Sequence, residues 1–214
     1  MNGEPVTVNK IIIESNMNYQ NTSVLHYKIE YPHFQHPLYQ NELNKINEWY
    51  RCKTKDLQRK YETELYQQAI ELYEYSKENQ FPFHMYEAVS VYEVTYNEKD
   101  LLSLFLDDYV YSGGAHGGTV RRSDTWDIKN GSRVLLSQFT NDSVAFQRQI
   151  LNNIREQIAD QIEKGEGMYF DDYPQLIITN FNPESYYLTP NGLVIYYQQY
   201  DIAPYASGMP EFII

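Results

Sequence analysis

A chain of 214 residues that is 42% hydrophobic can fill one domain or two closely packed subdomains, and global disorder is excluded. Its 17 Lys+Arg against 29 Asp+Glu give a formal net charge of −12, which disfavours partners with a phosphate backbone and anionic membrane leaflets. The single Cys52 rules out an intramolecular disulfide and a cysteine metal cluster, and no run approaches the ~20 apolar residues of a membrane span.

Val6 to Ile13 is β-branched and strand-like, and Leu25, Tyr27, Ile29 and Tyr31 alternate with polar residues as a half-buried strand does. Asn16 to Ser23 reads as the polar turn joining them into a hairpin, and Pro32 as the end of the second strand. Pro37 suits a helix start, where its missing amide costs nothing. From there Leu43, Ile46, Tyr50, Leu57, Tyr61, Leu65 and Ile70 recur mainly at helical spacings, with no Pro or Gly before Pro82. One straight helix of that extent would reach roughly 60 Å, so a break near Lys53 to Asp56 is expected.

Met85 to Tyr96 and Leu101 to Tyr111 are two more strands, linked through Asn97 to Asp100. The segment Tyr111-Ser112-Gly113-Gly114-Ala115-His116-Gly117-Gly118 follows, four glycines around one histidine. Glycine admits φ > 0 and close backbone approach, so the segment reads as one shaped for something other than side-chain packing. Thr119 to Ile128 is a polar strand carrying Trp126, and Asn130-Gly131 is a hairpin turn. Phe146, Ile150, Ile154, Ile158 and Ile162 recur every fourth residue as a helix that Asn141 or Ser143 can cap and Gly165 can end. Leu176-Ile177-Ile178 reads as a short strand or buried turn, and Tyr186 to Tyr200 as a hairpin across Pro190-Asn191-Gly192. The tail from Asp201 to Ile214 ends in an apolar group that must dock. The expected fold is therefore α+β, with antiparallel sheets built from hairpins, two helical insertions and two fused subdomains, residues 1–118 and 119–214.

Tyrosine is abundant, 22 against 9 phenylalanines, and it suits both half-buried sheet faces and recognition surfaces. A catalytic reading would pair His116 with Asp107, Asp108 or Asp201 as a hydrolase, but Gly-x-Ser-x-Gly is absent and the only cysteine lies in a helix. A metal reading would gather His26, His33 and His36 with His84 or His116, but without a matching third ligand it gives no metal site. The glycine segment lacks Gly-x-Gly-x-x-Gly and the P-loop lysine, so no nucleotide cofactor is expected. Asp107 and Asp108 are neighbours on a strand and point to opposite faces, so they form no facing acid pair, and Asp171-Asp172 reads as a solvated loop. What remains is a recognition surface of small residues with rigid or aromatic anchors: Ser112, Gly113, Gly114, His116 and Gly117 in one loop, Pro204, Tyr205 and Gly208 in the tail. It requires the two segments to be neighbours in space.

Tyr111-Ser112-Gly113-Gly114-Ala115-His116-Gly117, Trp126-Asp127-Ile128-x-x-Gly131, Leu135-Leu136 and Phe139 resemble the middle of a known family. Tyr187-Leu188-Thr189-Pro190-x-Gly192-Leu193-x-Ile195-Tyr196 and Ala203-Pro204-Tyr205-x-x-Gly208-x-Pro210-x-Phe212 resemble its end. That family is the extracellular lysozyme-binding domain of the anti-sigma-V factor, also found before the catalytic domain of some peptidoglycan deacetylases. The resemblance implies two fused α+β subdomains, no catalytic residue, no cofactor, and a basic protein such as lysozyme as partner. A cell-wall glycan is the second partner considered, and a hydrolase using His116 or a cytoplasmic structural domain without ligand are the competing functions. The family's sigma-binding segment, membrane helix and deacetylase domain are not in this sequence, and the N-terminus has no signal-peptide pattern. The expected location is extracytoplasmic if an anchor precedes the chain and cytoplasmic otherwise.

Overall fold

The computed structural model describes residues 4–214, so the first three residues of the expected N-terminal subdomain lie outside the described part. A six-stranded sheet runs in chain order through β1 (Thr7–Tyr19), β2 (Thr22–Gln35), β3 (Tyr86–Glu98), β4 (Leu101–Tyr111), β5 (Gly118–Asp127) and β6 (Ser132–Arg133). A second, antiparallel sheet holds β7 (Tyr186–Thr189), β8 (Gly192–Tyr196) and β9 (Glu211–Ile213). The architecture is α+β with two sheets, as expected.

The first hairpin is longer than the sequence implied. Gln20 and Asn21 both adopt positive φ, 46° and 66°, so a two-residue turn lets β1 pair with β2 from Thr7 to Tyr19. Pro32 does not end β2: it pairs opposite Lys10, and the strand continues to Gln35. Proline is tolerated because β2 meets β3 only over Leu25–Ile29, leaving that side of Pro32 without a ladder to donate into. Lys99 and Asp100, at φ 52° and 66°, make the corresponding turn between β3 and β4.

One pairing departs from the all-antiparallel expectation: β2 and β3 run parallel, Leu25 opposite Tyr86 through Ile29 opposite Ser90. The intervening helix makes it so, because a crossover returns the chain to the same end of the sheet. That helix comprises α1 (Gln40–Lys60), a π-helical turn (Tyr61–Leu65) and α2 (Tyr66–Glu78), without the break expected near Lys53 to Asp56. The π turn re-phases the helix instead, so that Tyr61, Leu65 and Ala69 continue a buried face begun by Leu43, Ile46 and Tyr50. Helix formation starts at Gln40, three residues after Pro37.

α3 (Ser143–Lys164) is capped by Asp142, whose side chain accepts the Ala145 N–H at 3.0 Å, and ends on Gly165 at φ 70°. The cap thus falls between the two residues expected to supply it. Ile150, Ile154 and Ile158 are fully buried, worth roughly 1.5–3 kcal/mol each. Leu176-Ile177-Ile178 lies in a short helix, α4 (Tyr173–Thr179), because Pro174 stands in its first turn and only Ile177 is fully buried.

Alternation along β4 sorts the layers. Leu102 and Leu104 pack with Leu43, Ile46, Tyr50 and Trp126 under α1. Phe105 faces the other way, against Tyr187, Val194 and Tyr196 of the small sheet. The small sheet's remaining face packs on α3 through Ile195, Phe212, Ile150 and Ile154, which is where the apolar tail docks. The layers therefore run α1–α2, large sheet, small sheet, α3. The expected division between residues 118 and 119 cuts this large sheet, since β5 pairs with β4 from Gly118 to Asp127.

Candidate functional site

The glycine segment between β4 and β5 and the tail after β8 meet. The His116 and Tyr205 rings stack with centroids 3.9 Å apart and planes 19° from parallel. Tyr200 lies beside both, its hydroxyl 3.5 Å from His116 Nε2 and its ring centroid 5.9 Å from that of Tyr205. The Thr119 N–H donates to Gln199 Oε1 at 2.9 Å, tying the start of β5 to the same tail. His116 is exposed and Tyr205 half-buried, so the stacked pair forms an accessible aromatic corner.

Packing explains more of the glycines than the sequence suggested. A Cβ on Gly113 would sit 2.6 Å from Leu72 Cδ2, and its φ is +83°. A Cβ on Gly117 would overlap the Tyr109 ring. Gly114 has open space around it, and Gly208 needs glycine only for its φ of +67°. Ser112 and Gly114 are exposed, whereas Gly117 is buried, so only part of the segment can touch a partner directly. Pro204 and Gly208 flank the short turn Tyr205–Ser207, which Pro204 enters and Gly208 leaves.

The carboxylates considered for His116 are engaged elsewhere. Asp107 accepts two hydrogen bonds from Arg121, each 2.7 Å, and Asp108 accepts Ser90 Oγ at 2.6 Å and pairs with Arg122. Asp201 accepts the Gln198 N–H at 2.8 Å, and burial pushes its carboxyl above the usual aspartate value. His116 itself places Nδ1 2.9 Å from the Gly117 carbonyl, where a ring N–H donates. Cys52 is exposed and its thiol is held up by the Glu48 carboxylate, the reverse of an activated nucleophile. His26 lies against Asn16 and Glu14, and His36 stacks on Tyr39 at 4.9 Å. Among the described residues no three His, Cys, Asp or Glu side chains gather as a metal-binding group.

A second feature was not legible in the sequence. Because β6 is only two residues long, side chains and loop backbone rather than a strand cover β5 before Trp126, and two hollows form beside it. One of about 270 Å³ lies among Trp49, Lys53, Arg122, Arg133, Asn182 and Glu184. The other, about 570 Å³, runs under the π turn past Lys53, Lys60, Glu64, Val120 and Arg122. Lys53 and Arg122 belong to both walls. Beneath the first, the Trp126 indole N–H donates to Tyr50 Oη at 2.8 Å, and the Tyr50 hydroxyl donates to Asp124 at 3.0 Å. Burial pushes the Asp124 carboxyl up, opposed by Arg133, whose Nε lies 2.8 Å away. Gln198 covers part of the edge, accepting the Arg121 N–H and donating to its carbonyl. These residues come from a helix, a strand edge and two loops, so no spacing announces them. Trp49 and Trp126, the only two tryptophans, were the available signal.

With two packed α+β subdomains and an aromatic corner where loop and tail meet, the chain is an α+β domain of known architecture. Residues 19–119 match the family model described as Deacetylase PdaC, and residues 137–214 match a model for a protein of unknown function, DUF3298. The two matched stretches are consecutive, and β5 and β6 lie almost wholly between them. A solved DUF3298 family member from Bacteroides fragilis is similar, with a TM-score of 0.72 and 18% identity over 100% of this chain and 92% of that one. Another, from Pseudomonas aeruginosa, has a TM-score of 0.68 and 17% identity over 99% of this chain and 91% of that one. These likenesses establish the fold. No curated protein matches the chain. No helix among the described residues is long and apolar enough to cross a membrane.

Proposed function

We propose that this is a non-catalytic binding module of cell-envelope type that recognises a basic protein, such as a lysozyme-like muramidase, through the corner formed by His116, Tyr200 and Tyr205. The observation that carries the reading is the ring stack itself. It joins a small-residue loop to a proline-flanked turn, giving a rigid aromatic anchor amid backbone that a partner can approach closely. The charge of −12 would steer a cationic protein toward this surface. The PdaC match adds an association with deacetylases of that name, and Asp107, Asp108 and Asp201, the carboxylates considered for His116, are engaged by other partners.

Calorimetry with a basic lysozyme at low and high salt tests this. Heat of binding is expected at low salt and weaker binding at high salt, because exposed charges are screened beyond ~8 Å at physiological ionic strength. No heat at either salt overturns the reading. Tyr205→Ala is expected to raise the dissociation constant at least tenfold, about 1.4 kcal/mol.

A further inference from the structure

The two hollows beside β5 share Lys53 and Arg122, and together they make one elongated groove between the helix and that strand. We propose that this groove binds a short acidic saccharide, a chain of hydroxyl-rich rings carrying carboxylates.

The charge argument is local. Lys53 and Lys60 have no carboxylate within ion-pair reach among the described residues, although the chain is strongly acidic overall. They stand seven residues apart on α1, so both look into the groove from one helix face, roughly 10 Å apart along the axis. Arg122 closes the opposite wall, on β5, where it pairs with Asp108. Of the carboxylates on the same walls, Asp56, Asp108 and Asp124 are paired with Arg59, Arg122 and Arg133, and Glu64 and Glu184 remain, so Lys53 and Lys60 are the cations left for an anion; charge beyond ~8 Å is screened at physiological salt.

The ring argument comes from the mouth. Trp49 is 36% exposed there, and the Lys53 ammonium rests 4.7 Å from its ring centroid. A carboxylate that draws Lys53 aside uncovers the indole for the apolar face of a sugar ring. The hydroxyls then have partners of both kinds at the same end: the Asn182 amide N–H groups to donate and the Glu184 carboxylate to accept. An acidic peptide would satisfy the lysines but leaves Trp49 and Glu184 without a role. The combined space, hundreds of cubic ångströms, suits a ligand of a few rings.

Tryptophan fluorescence reads this site directly, because Trp49 lines the groove and Trp126 lies against it with ring centroids 6.1 Å apart. Titrating the whole chain with trigalacturonate should give a saturable change, whereas neutral maltotriose and triglutamate should give none at equal concentration. The surface variant Lys53→Gln with Lys60→Gln should weaken trigalacturonate at least tenfold without lowering the melting temperature. Tyr205→Ala should leave it unchanged, which separates this site from the aromatic corner. Absence of a response to trigalacturonate, an equal response to maltotriose or triglutamate, or unaltered affinity in the double variant would overturn the proposal.

Discussion

The aromatic corner and the groove beside β5 are built on opposite physical plans. At the corner, three rings and a run of glycines project from loops, and what fixes them is ring stacking with a few hydrogen bonds at the periphery. In the groove, charged side chains line a hollow whose floor is a hydrogen-bonded chain from Trp126 through Tyr50 to Asp124. The corner can lose a ring and remain folded, because its rings are largely outside the core. The groove floor cannot, because it is core. Exposed groups and groups that hold the fold are thus separable in one region and merged in the other.

Trp126→Ala is the severest way to break that contrast. It empties a core position and removes the donor to Tyr50 Oη, and should cost about 3–5 kcal/mol in urea unfolding. Gly117→Ala comes next, at about 1–3 kcal/mol, because the added methyl meets the Tyr109 ring. Gly114→Ala, three residues away in open space, should stay within about 0.5 kcal/mol, so equal effects of the two would contradict the packing account.

Glu30→Gln sharpens the electrostatic side. Hydrogen bonds from Lys10 and Lys28 hold the buried Glu30 carboxyl below its ordinary range. A folded-state value lower than the unfolded one means stability present above about pH 4 and lost as the pH falls through the folded value. The variant should therefore be less stable by about 1 kcal/mol near pH 7, and the gap should close in acid. A gap that persists unchanged at pH 3 would remove the ion pairs as its cause. One effect runs the other way. The Tyr61 hydroxyl is buried without a hydrogen-bond partner among the described residues, so Tyr61→Phe should raise stability by up to about 1 kcal/mol; a fall in melting temperature would show that the hydroxyl is satisfied after all.

Local pattern carried much of this architecture. The fourfold isoleucine spacing of α3, the hairpin signals and the docking of the tail were legible because each depends on neighbours in sequence. Leu176-Ile177-Ile178 misled because three apolar residues suit a strand or a helix equally, and Pro174 decides between them. The π turn was hidden because spacings of three, four and seven tolerate one re-phased turn. The parallel β2–β3 pairing was hidden for a different reason: register between distant strands leaves no local trace. The same holds for the corner, whose two loops were identifiable by composition although their stacking was not. The groove was least legible, since Trp49, Lys53, Arg122 and Glu184 lie far apart in sequence and only the fold brings them together.

The join between β2 and β3 deserves a mechanical reading. Five residues on each side, Leu25–Ile29 and Tyr86–Ser90, stitch the first hairpin to the rest of the large sheet. Farther along, the Asn97 amide ties back to Val6, accepting its N–H and donating to its carbonyl. The sheet thus has a narrow waist, reinforced by this latch and by the helix packed across β2, and its contacts link residues far apart in the chain, which form slowly. Amide protons at that waist should exchange in a cooperative step distinct from the long antiparallel ladders on either side.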